Sequence, residues 1–339
     1  MSFQGDTAEL RVPYAANLQK GEDALIKAYV HGIYPRSESV VAATRDLDRG
    51  RTSPEAVEES FGRDQDAFVA LQRLAGMDYF SDGLLRWQDI FRPLVEASNG
   101  LSARTLVRWF DNNSFFRAPA VQGEIGLSGL PAVYAAAHRV SEPRVATLPS
   151  PLLFSRAAQG ESHPNDLMSD LARNVLRPLA ERLVAGGYSL IHFQEPWLTY
   201  HGVEDEDFKF FSESLGIVTD GLGATTVLQT YFGDAGPWAS RLRDLPVDAI
   251  GIDFIETDFE SLGSNWPTGL LVGCLDGRSS RMESVEETVA TVRRVADELQ
   301  PTSLFVGANS DLELLGRVVA DAKVLLLGEV SARLKEGSE

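Results

Sequence analysis

Cysteine is almost missing from this chain, which has only Cys274 among its 339 residues. A disulfide within the chain is therefore excluded, and so is a zinc site made of several cysteines. A single cysteine in an apolar stretch is typical of a small core residue rather than of a nucleophile. Long apolar runs are missing too, since none reaches the roughly 18 residues that a membrane helix needs. Residues 1–23 have no basic start and no apolar core, which argues against a secretory signal and favours a cytoplasmic location.

Positive charge is also scarce, because the formal net charge of the chain is -18. A chain with this excess of acid repels nucleic acids and anionic membranes, so we expect neither as a partner. The hydrophobic content of 44% and the charged content of 24% are those of a soluble globular protein. We therefore expect the ligand to be a small molecule.

The chain does contain a regular alternation of short apolar runs and longer segments with helical period. This alternation is typical of βα units around a parallel sheet, and about eight such strands favour a (β/α)8 TIM barrel. We predict an α/β barrel in which residues 1–339 form a single domain and residues 84–143 are a partly helical insertion over one face. A doubly wound open sheet is the alternative, although no glycine-rich dinucleotide turn follows the first strand. The predicted strands are 29–34, 77–80, 144–148, 188–193, 225–230, 247–252, 269–275 and 303–307.

Polar side chains stand where the predicted strands end, and in a barrel this rim carries the active site. Turn chemistry alone explains many of them, because Asp-Gly and Asn-Ser are ordinary turn dipeptides. Gln194-Glu195-Pro196-Trp197 is a less common turn, in which a carboxylate at a strand end precedes a proline that restricts the backbone. The candidate rim residues are Tyr34, Asp82, His192, Gln194, Glu195, Gln229, Tyr231, Asp234, Asp253, Arg278, Asn309 and Ser310.

Several classes of enzyme find little support in the residues alone. No Gly-x-Ser-x-Gly elbow accompanies the five histidines, and no Walker loop occurs. A carboxylate pair such as Glu195 and Asp253 is compatible with glycoside hydrolysis, but many barrels have such a pair. No spacing of ligand residues demands a metal site. The side chains that could converge on a metal are His192, Glu195, Asp253 and Cys274.

Several short motifs stand at or near the predicted strand ends. They are Gly32-Ile33-Tyr34-Pro35-Arg36, Ser81-Asp82-Gly83 with Trp87-Gln88-Asp89, Trp109-Phe110-Asp111-Asn112-Asn113, Phe193-Gln194-Glu195-Pro196-Trp197-Leu198, Thr230-Tyr231-Phe232, Leu275-Asp276-Gly277-Arg278 and Val306-Gly307-Ala308-Asn309-Ser310. In this order and spacing they resemble the barrel domains of cobalamin-independent methionine synthase, within the superfamily of uroporphyrinogen decarboxylase-like barrels. The segment from Phe193 to Leu198 is similar to the family's I-D-E-P-A-L.

The resemblance also bears on metal binding. In the family's C-terminal barrel an H-x-C pair, a glutamate and a second cysteine bind zinc, which turns the homocysteine thiol into the attacking thiolate. Here Leu228-Gln229-Thr230 replaces H-x-C, Asp253 stands near the glutamate position, and Ser310 stands near the second cysteine. The chain is more similar to the N-terminal barrel, a zinc-free copy that helps to hold the folate donor. The resemblance therefore implies no metal ligand, and a methyl-pterin donor is the one cofactor it suggests.

The resemblance implies a methyltransferase that moves a methyl group from a folate, another pterin or a corrinoid to a thiol such as homocysteine. Glu195, Asp253 and Tyr231 are the expected catalytic residues, and the other rim residues are expected to bind substrate. We expect Glu195, Asp253 and Asp82 to bind the amino group of the amino acid. Arg278 or Arg36 would bind a carboxylate.

Two other functions stay open. The chain could be a zinc-free binding subunit that docks with a separate catalytic methionine synthase barrel. In that case arginines such as Arg104, Arg108 and Arg117 would hold the anionic tail of a pterin. The other possibility is a metal-free barrel lyase, which rests on kinship of fold alone.

Overall fold

The structure, a computed structural model, describes residues 26–160 and 163–336 and contains a large parallel sheet and a separate hairpin. The strands are β1 (Lys27–Ala28), β2 (Ser98–Arg108), β3 (Phe115–Leu127), β4 (Arg144–Pro149), β5 (Tyr188–Gln194), β6 (Thr225–Thr230), β7 (Ala249–Asp253), β8 (Gly269–Leu275) and β9 (Leu304–Ala308). The large sheet has the spatial order β1-β9-β8-β7-β6-β5-β4. Its strands are buried apolar runs, as expected of a parallel sheet covered on both faces.

Helices follow most strands and begin at recognisable caps. Ser53 accepts a hydrogen bond from the Ala56 N–H at 3.3 Å, and Pro54 fills the first helical position. A π-helical turn over Ala172–Leu176 joins two of the helices. The helices are α1 (Glu38–Asp48), α2 (Pro54–Leu74), α3 (Arg92–Glu96), α4 (Pro151–Ala157), α5 (Pro164–Leu171), α6 (Arg177–Ala185), α7 (Pro196–Tyr200), α8 (Asp205–Thr219), α9 (Ala239–Leu242), α10 (Val285–Leu299) and α11 (Arg317–Glu336).

The edge strands β1 and β4 are linked through Tyr79 and Phe80. Tyr79 forms a parallel bridge with Tyr29, directly after β1, and Phe80 forms one with Arg144 of β4. The α/β class and the parallel sheet are thus confirmed. A complete (β/α)8 barrel stays a prediction, because the eighth strand is reduced to these two bridged residues in the described part of the chain. One small core cluster takes a side chain from each position around the sheet: Tyr29, Tyr79, Val145, Leu190, Val227, Ala249, Leu271 and Phe305.

Two predicted strands are shorter than expected. The first, predicted over 29–34, is formed at Lys27–Ala28 with a bridge at Tyr29. It ends early because Gly32 has a φ of 71°, a left-handed conformation that turns the chain away from the strand direction. In the second, the Asp78 carboxylate accepts from the Ala28 N–H at 2.6 Å and so replaces a backbone partner.

The hairpin of β2 and β3 forms about half of residues 84–143, which were predicted as a partly helical insertion. The hairpin turns between Trp109, whose N–H donates to the Ser114 carbonyl at 2.9 Å, and β3. Phe110 at the turn has a φ of 50°, and its ring lies 5.7 Å from that of Phe232 after β6. The hairpin tip therefore reaches the carboxyl end of the sheet. Helix α3 and a 3-10 segment over Ala132–Arg139 flank it.

Within residues 26–160 and 163–336, no helix is long and apolar enough to cross a membrane. The expectation that residues 1–23 are not a secretory signal lies outside the described residues.

Candidate functional site

Most of the predicted rim residues lie together at the carboxyl ends of β5, β6, β7 and β9. Parallel strands place their ends at one edge of a sheet, so short polar segments that are distant in sequence meet there. All of these side chains are at most 1% exposed, which means that their polar groups need partners in the protein or a ligand. They are His192, Gln194, Glu195, Gln229, Tyr231, Asp253, Asn309 and Ser310.

Gln229 ends β6 and crosses the inner face of the sheet to β9. Its Nε2 donates to the carbonyl oxygens of Ala308 and Asn309, each at 2.9 Å. Gly251 on the neighbouring β7 leaves the room for this, because a Cβ there would lie 2.7 Å from the Cβ of Gln229. Gln229 therefore links the carboxyl end of β6 to that of β9 across the inner face of the sheet.

Asp253 ends β7 and accepts hydrogen bonds from the segments after β6, β7 and β9. Its Oδ1 accepts from the N–H groups of Ile255 (3.0 Å) and Glu256 (3.2 Å) and from Asn309 Nδ2 (3.0 Å). Its Oδ2 accepts from the Phe232 N–H at 3.4 Å. Burial raises the pKa of Asp253 to about 6, and these hydrogen bonds oppose the shift. Asp253 thus holds the segments after β6, β7 and β9 together.

Glu195 caps two helices at once. Its Oε1 accepts from the Leu198 N–H at 3.0 Å at the start of α7. Its Oε2 accepts from the Leu153 N–H at 3.1 Å at the start of α4 and from the Ser150 hydroxyl. Burial raises the pKa of Glu195 to about 7, although the Ser150 and backbone hydrogen bonds favour the ionised form. Both oxygens are therefore already engaged.

His192 lies beneath the rim in a stacked histidine pair. The rings of His31 and His192 are 4.1 Å apart with an interplanar angle of 13°. Tyr29 Oη lies 3.0 Å from His192 Nδ1, and His31 Nε2 lies 3.2 Å from the Ala308 carbonyl oxygen. Burial lowers the pKa of His31 to about 4 and that of His192 well below its usual value. Both rings are therefore neutral at pH 7.

Tyr231 follows β6 directly and is held by its backbone. Its carbonyl oxygen accepts from the Thr199 hydroxyl at 2.7 Å. Its own hydroxyl has no hydrogen-bond partner in the part of the chain that the structure describes. Burial raises the pKa of Tyr231 well above its usual value, and the charges of Asp311 and Glu313 raise it further. The phenol therefore stays protonated and is available as a donor near two carboxylates.

Asp311 and Glu313 are rim residues that the sequence analysis did not select. Asp311 accepts from Gln194 Nε2 and, at 3.0 Å, from the Ile33 N–H. Glu313 accepts from the Ser114 hydroxyl at 3.1 Å. Burial raises the pKa of both carboxyl groups. The sequence signal that could have identified them is a pair of acidic residues, two positions apart, shortly after a buried strand.

These two acids line a small cavity of about 20 Å³ between the rim and the hairpin. Asp89 also lines it and carries a third carboxylate, and Gln194 lines it from β5. The Gln194 Oε1 has no hydrogen-bond partner among the described residues, and the side chain is 0% exposed. The apolar walls are Ile33, Ile90, Trp109, Phe115 and Phe116.

Tyr34 contacts the helices rather than the rim cluster. Its hydroxyl donates to Asp321 Oδ1 of α11 at 2.6 Å. Its ring stacks on Phe68 of α2 with 4.1 Å between the ring centroids. These contacts hold the loop after β1 against the helical layer.

Asp82 and Asp234 both sit in turns. Asp82 Oδ1 accepts from the Leu84 N–H at 2.9 Å, two residues ahead. Asp234 is exposed, and its Oδ1 accepts from the Gly236 N–H at 2.8 Å. Their contacts are those of ordinary Asx turns.

Arg278, in the loop after β8, connects the rim with the hairpin. Its Nη1 lies 3.3 Å from Asp111 Oδ1 at the hairpin tip, and its Nη2 donates to Glu256 at 2.9 Å. The guanidinium lies 5.0 Å from the centre of the Phe232 ring. Arg278 is therefore already paired with two carboxylates.

A larger aromatic cavity of about 390 Å³ lies between the hairpin and helices α4 and α7. Phe110 lies 5.0 Å from Tyr200, and Trp197 lies 4.3 Å from His201, measured between ring centroids. Arg108 and Arg156 line the same space. A flat ring with an anionic substituent suits such walls.

The residues at the family's zinc-ligand positions do not fit a zinc ion. Leu228 is apolar, and the Thr230 hydroxyl donates to the Gly251 carbonyl at 3.3 Å. Cys274 lies elsewhere in β8, and burial raises the pKa of its thiol to about 12, so it is not a thiolate. No group of three or more His, Cys, Asp or Glu side chains within the described ranges could hold a metal ion. We therefore assign no reaction step to zinc.

The fold and the rim define an α/β protein with a candidate ligand site at the carboxyl ends of a parallel sheet. The family model described as "Cobalamin-independent synthase, N-terminal domain" matches residues 92–300, more than half of the chain. The chain therefore belongs to the cobalamin-independent methionine synthase family.

Similar curated proteins carry the corresponding name. The methionine synthase of Sulfolobus acidocaldarius is 26% identical over 316 residues, which cover 90% of this chain and 91% of that protein. The methionine synthase of Sulfurisphaera tokodaii is 25% identical over 312 residues, with 89% and 90% covered. The similarity thus extends along nearly the whole length of both relatives.

Solved structures confirm the fold. A B12-independent methionine synthase from Shewanella sp. W3-18-1, in complex with selenomethionine, superposes with a TM-score of 0.76 at 18% identity. The match covers 93% of this chain and 98% of that one. A putative vitamin-B12 independent methionine synthase from Listeria monocytogenes gives a TM-score of 0.72 at 13% identity, with 92% and 99% covered. At these identities the likeness shows the fold alone.

Proposed function

We propose that this chain is a methyltransferase of the cobalamin-independent methionine synthase type, which moves a methyl group from a pterin or corrinoid donor to a thiol such as homocysteine. The observation that carries the proposal is the rim of a family member, where Gln194, Asp311 and Glu313 line a small, acidic cavity. A structural relative holds selenomethionine, which supports an amino acid as the ligand here too.

In the proposed transfer the thiol sulfur bonds to the methyl carbon while the bond from that carbon to the donor breaks. The electron pair of the broken bond stays with the donor, and the thiol proton passes to a base. Glu195 and Asp253, with pKa values of about 7 and about 6, are the candidates for this base. Tyr231, as a buried donor without a protein partner in the described chain, would orient the substrate.

The aromatic cavity is the proposed binding site of the methyl donor. Trp197 and Phe110 would stack on a flat pterin ring, and Arg108 would attract its anionic tail. Arg117 and Arg104, the other arginines expected here, lie together on the hairpin, where Arg117 Nη1 donates to the Arg104 carbonyl at 3.0 Å.

The second candidate is a zinc-free binding subunit of a separate catalytic barrel. It is favoured by Leu228 and Thr230, which replace two zinc ligands and leave the thiol without a metal activator. In this function the rim would hold the amino acid or pterin, and the partner barrel would carry out the transfer. The lyase possibility rests on fold kinship alone and has no such observation in its favour.

One experiment separates the two candidates. Labelled methyl transfer to homocysteine is measured from a methyl-pterin and from methylcobalamin, with the chain alone and with a purified zinc-bearing methionine synthase barrel added. Transfer by the chain alone, lost in Asp253→Asn, supports the methyltransferase. Faster transfer only in a stable complex supports the subunit. No transfer and no complex would overturn both.

We also propose that Tyr79 and Phe80 serve as an eighth strand that closes a (β/α)8 barrel around the rim. The two parallel bridges support this, as does the inner cluster with one side chain from each position. The Gly32 N–H also donates to Thr147 Oγ1 at 3.0 Å, which links the loop after β1 directly to β4.

A further inference from the structure

The outward face of the hairpin carries exposed apolar and basic side chains. The register of β2 and β3 pairs Leu106 with Arg117, so these two side chains and that of Phe115, two residues before Arg117, lie on the same face. Leu106 is 62% exposed and Phe115 is 50% exposed, whereas Phe116, which points to the other face, is buried. We call Leu106, Phe115 and Arg117 the hairpin face. Two large apolar side chains that lie together in water are typical of a binding surface.

The positive charge beside these apolar groups is unpaired. Arg117 Nη1 donates to the Arg104 carbonyl at 3.0 Å, and both arginines are exposed. Neither of them forms an ion pair with any residue in 26–160 and 163–336. Acidic residues outnumber basic ones by 18 in this chain, so the lack of an acidic partner leaves the two guanidinium groups available for another molecule.

The start of α8 carries the opposite charge. Residues 204–207 are four consecutive acids, of which Asp205 and Asp207 each pair with an arginine at 2.6 Å. Glu204 and Glu206 are exposed and have no cationic partner in the part of the chain that the structure describes. Their carboxylates therefore present unpaired negative charge to solvent.

The hairpin and the start of α8 are neighbours, because both contact the segment of α4 and the residues after it. Gln159 Nε2 donates to Thr105 Oγ1 of β2 at 3.3 Å, and Arg156, three residues earlier, donates to Asp207 at 2.6 Å. Tyr200 of α7, which is 39% exposed, precedes the acidic segment by four residues. The basic and the acidic patch thus lie side by side, with a further exposed apolar ring close by.

We propose that two copies of this chain associate through this surface, with the hairpin face of each copy on the start of α8 of the other. A twofold axis brings the same surface of both copies together, so adjacent patches of opposite charge meet their complements twice. Leu106, Phe115 and Tyr200 supply apolar area that is removed from water in the pair. The partner is a second copy because this one chain carries both halves of the match.

The test is an exchange of charge between the two patches. Sedimentation equilibrium of the full chain should show a dimer that weakens as the salt concentration rises. Arg117→Glu and Glu206→Arg should each weaken the dimer about 10-fold or more, because like charges then face each other at two symmetric places. An equimolar mixture of the two variants should recover the dimer, since each reversed patch then meets a reversed partner.

Arg45→Glu is the matched control, because Arg45 is also exposed and forms no ion pair in the described residues, but it lies on α1. It should leave the dimer unchanged. Thermal melting identifies a variant that fails to fold, and Leu106→Ser then tests the same surface without a charge change.

Three results would overturn the proposal. A chain that stays monomeric at every concentration would assign the hairpin face to another occupant, such as an anionic ligand or a different protein. A dimer that Arg117→Glu, Glu206→Arg and Leu106→Ser all leave intact would use another surface. A mixture that does not recover would show that these two patches do not face each other.

Discussion

Glu195 shows how one side chain can order the start of two helices. Because it caps α7 and shares the Leu153 N–H of α4 with the Ser150 cap, we expect Glu195→Ala to lower the free energy of unfolding by about 1–2 kcal/mol, roughly the value of one lost cap. Urea denaturation measures this change. The matched control is Glu204→Ala, since the exposed Glu204 precedes α8 and makes no side-chain cap bond within the described residues. Equal stability of the two variants would contradict the capping role.

The histidine pair predicts how stability responds to acid. The pKa of His31 is depressed to about 4, so the unfolded chain binds a proton near pH 6 that the folded chain does not. Its contribution is complete above about pH 6.5 and is lost as the pH falls, by up to about 2 kcal/mol at pH 5. Glu195 and Asp253, with raised pKa values, act in the opposite direction over the same range.

Substituting one histidine separates these effects. We expect His31→Gln to lose less stability than the unsubstituted chain between pH 7 and pH 5, measured by denaturation at each pH. His138→Gln, at an exposed position, is the control for the loss of an imidazole. Parallel profiles for His31→Gln and the unsubstituted chain would show that His31 titrates normally in the folded state.

The sequence predicted that polar side chains meet at the carboxyl ends of the strands, but it did not identify all of them. Gln194, Glu195 and Asp253 were predictable because each ends a long apolar run. Asp311 was overlooked because Asn-Ser-Asp also suits an ordinary turn, and only the fold brings the loop after β1 against it. The pairing of Glu195 with two helix starts was likewise not visible, since α4 lies far away in sequence.

The tip of the hairpin packs over the carboxyl ends of the strands. Arg278 holds its tip through Asp111 and stacks on Phe232. We expect Arg278→Gln to speed hydrogen exchange of the amides in residues 109–113, while global stability falls by only about 1 kcal/mol or less, as for other exposed ion pairs. Exchange mass spectrometry measures the local effect.

Arg294→Gln provides the control for that experiment. Arg294 also stacks on a phenylalanine, Phe259 at 4.8 Å, and pairs with Glu298, but it lies on α10. It should leave exchange in residues 109–113 unchanged. An unchanged hairpin in Arg278→Gln would mean that its other contacts, such as those of Phe110 and Ser114, suffice to hold it in place.

The bounds of some strands could be predicted from the sequence, whereas the hairpin could not. Strands β6 and β8 have the predicted bounds, because continuous apolar runs define them. The hairpin was not predicted, since register shifts interrupt the two-residue alternation of β2 and β3. Gly100 lies at one of these register shifts. Its φ is 71°, and a Cβ at this position would overlap the Glu124 carbonyl oxygen.

The whole molecule combines the family's fold and rim with a changed set of side chains at the zinc positions. The length of the match with relatives named methionine synthase supports membership of the family. Under the proposed function, the residues at Leu228, Thr230 and Ser310 leave the thiol to be activated either by a carboxylate of this chain or by a partner. Both outcomes require that the amino acid binds at the rim.

The most direct measurement is therefore the position of a bound amino acid. Crystals of the full chain are grown with selenomethionine, and the anomalous signal of selenium locates the ligand without any assumption about its pose. We expect one strong peak at the carboxyl end of the sheet, within contact distance of Tyr231 or Gln194, and loss of that peak in Asp311→Asn. A selenium peak elsewhere, or none at saturating ligand, would contradict the account.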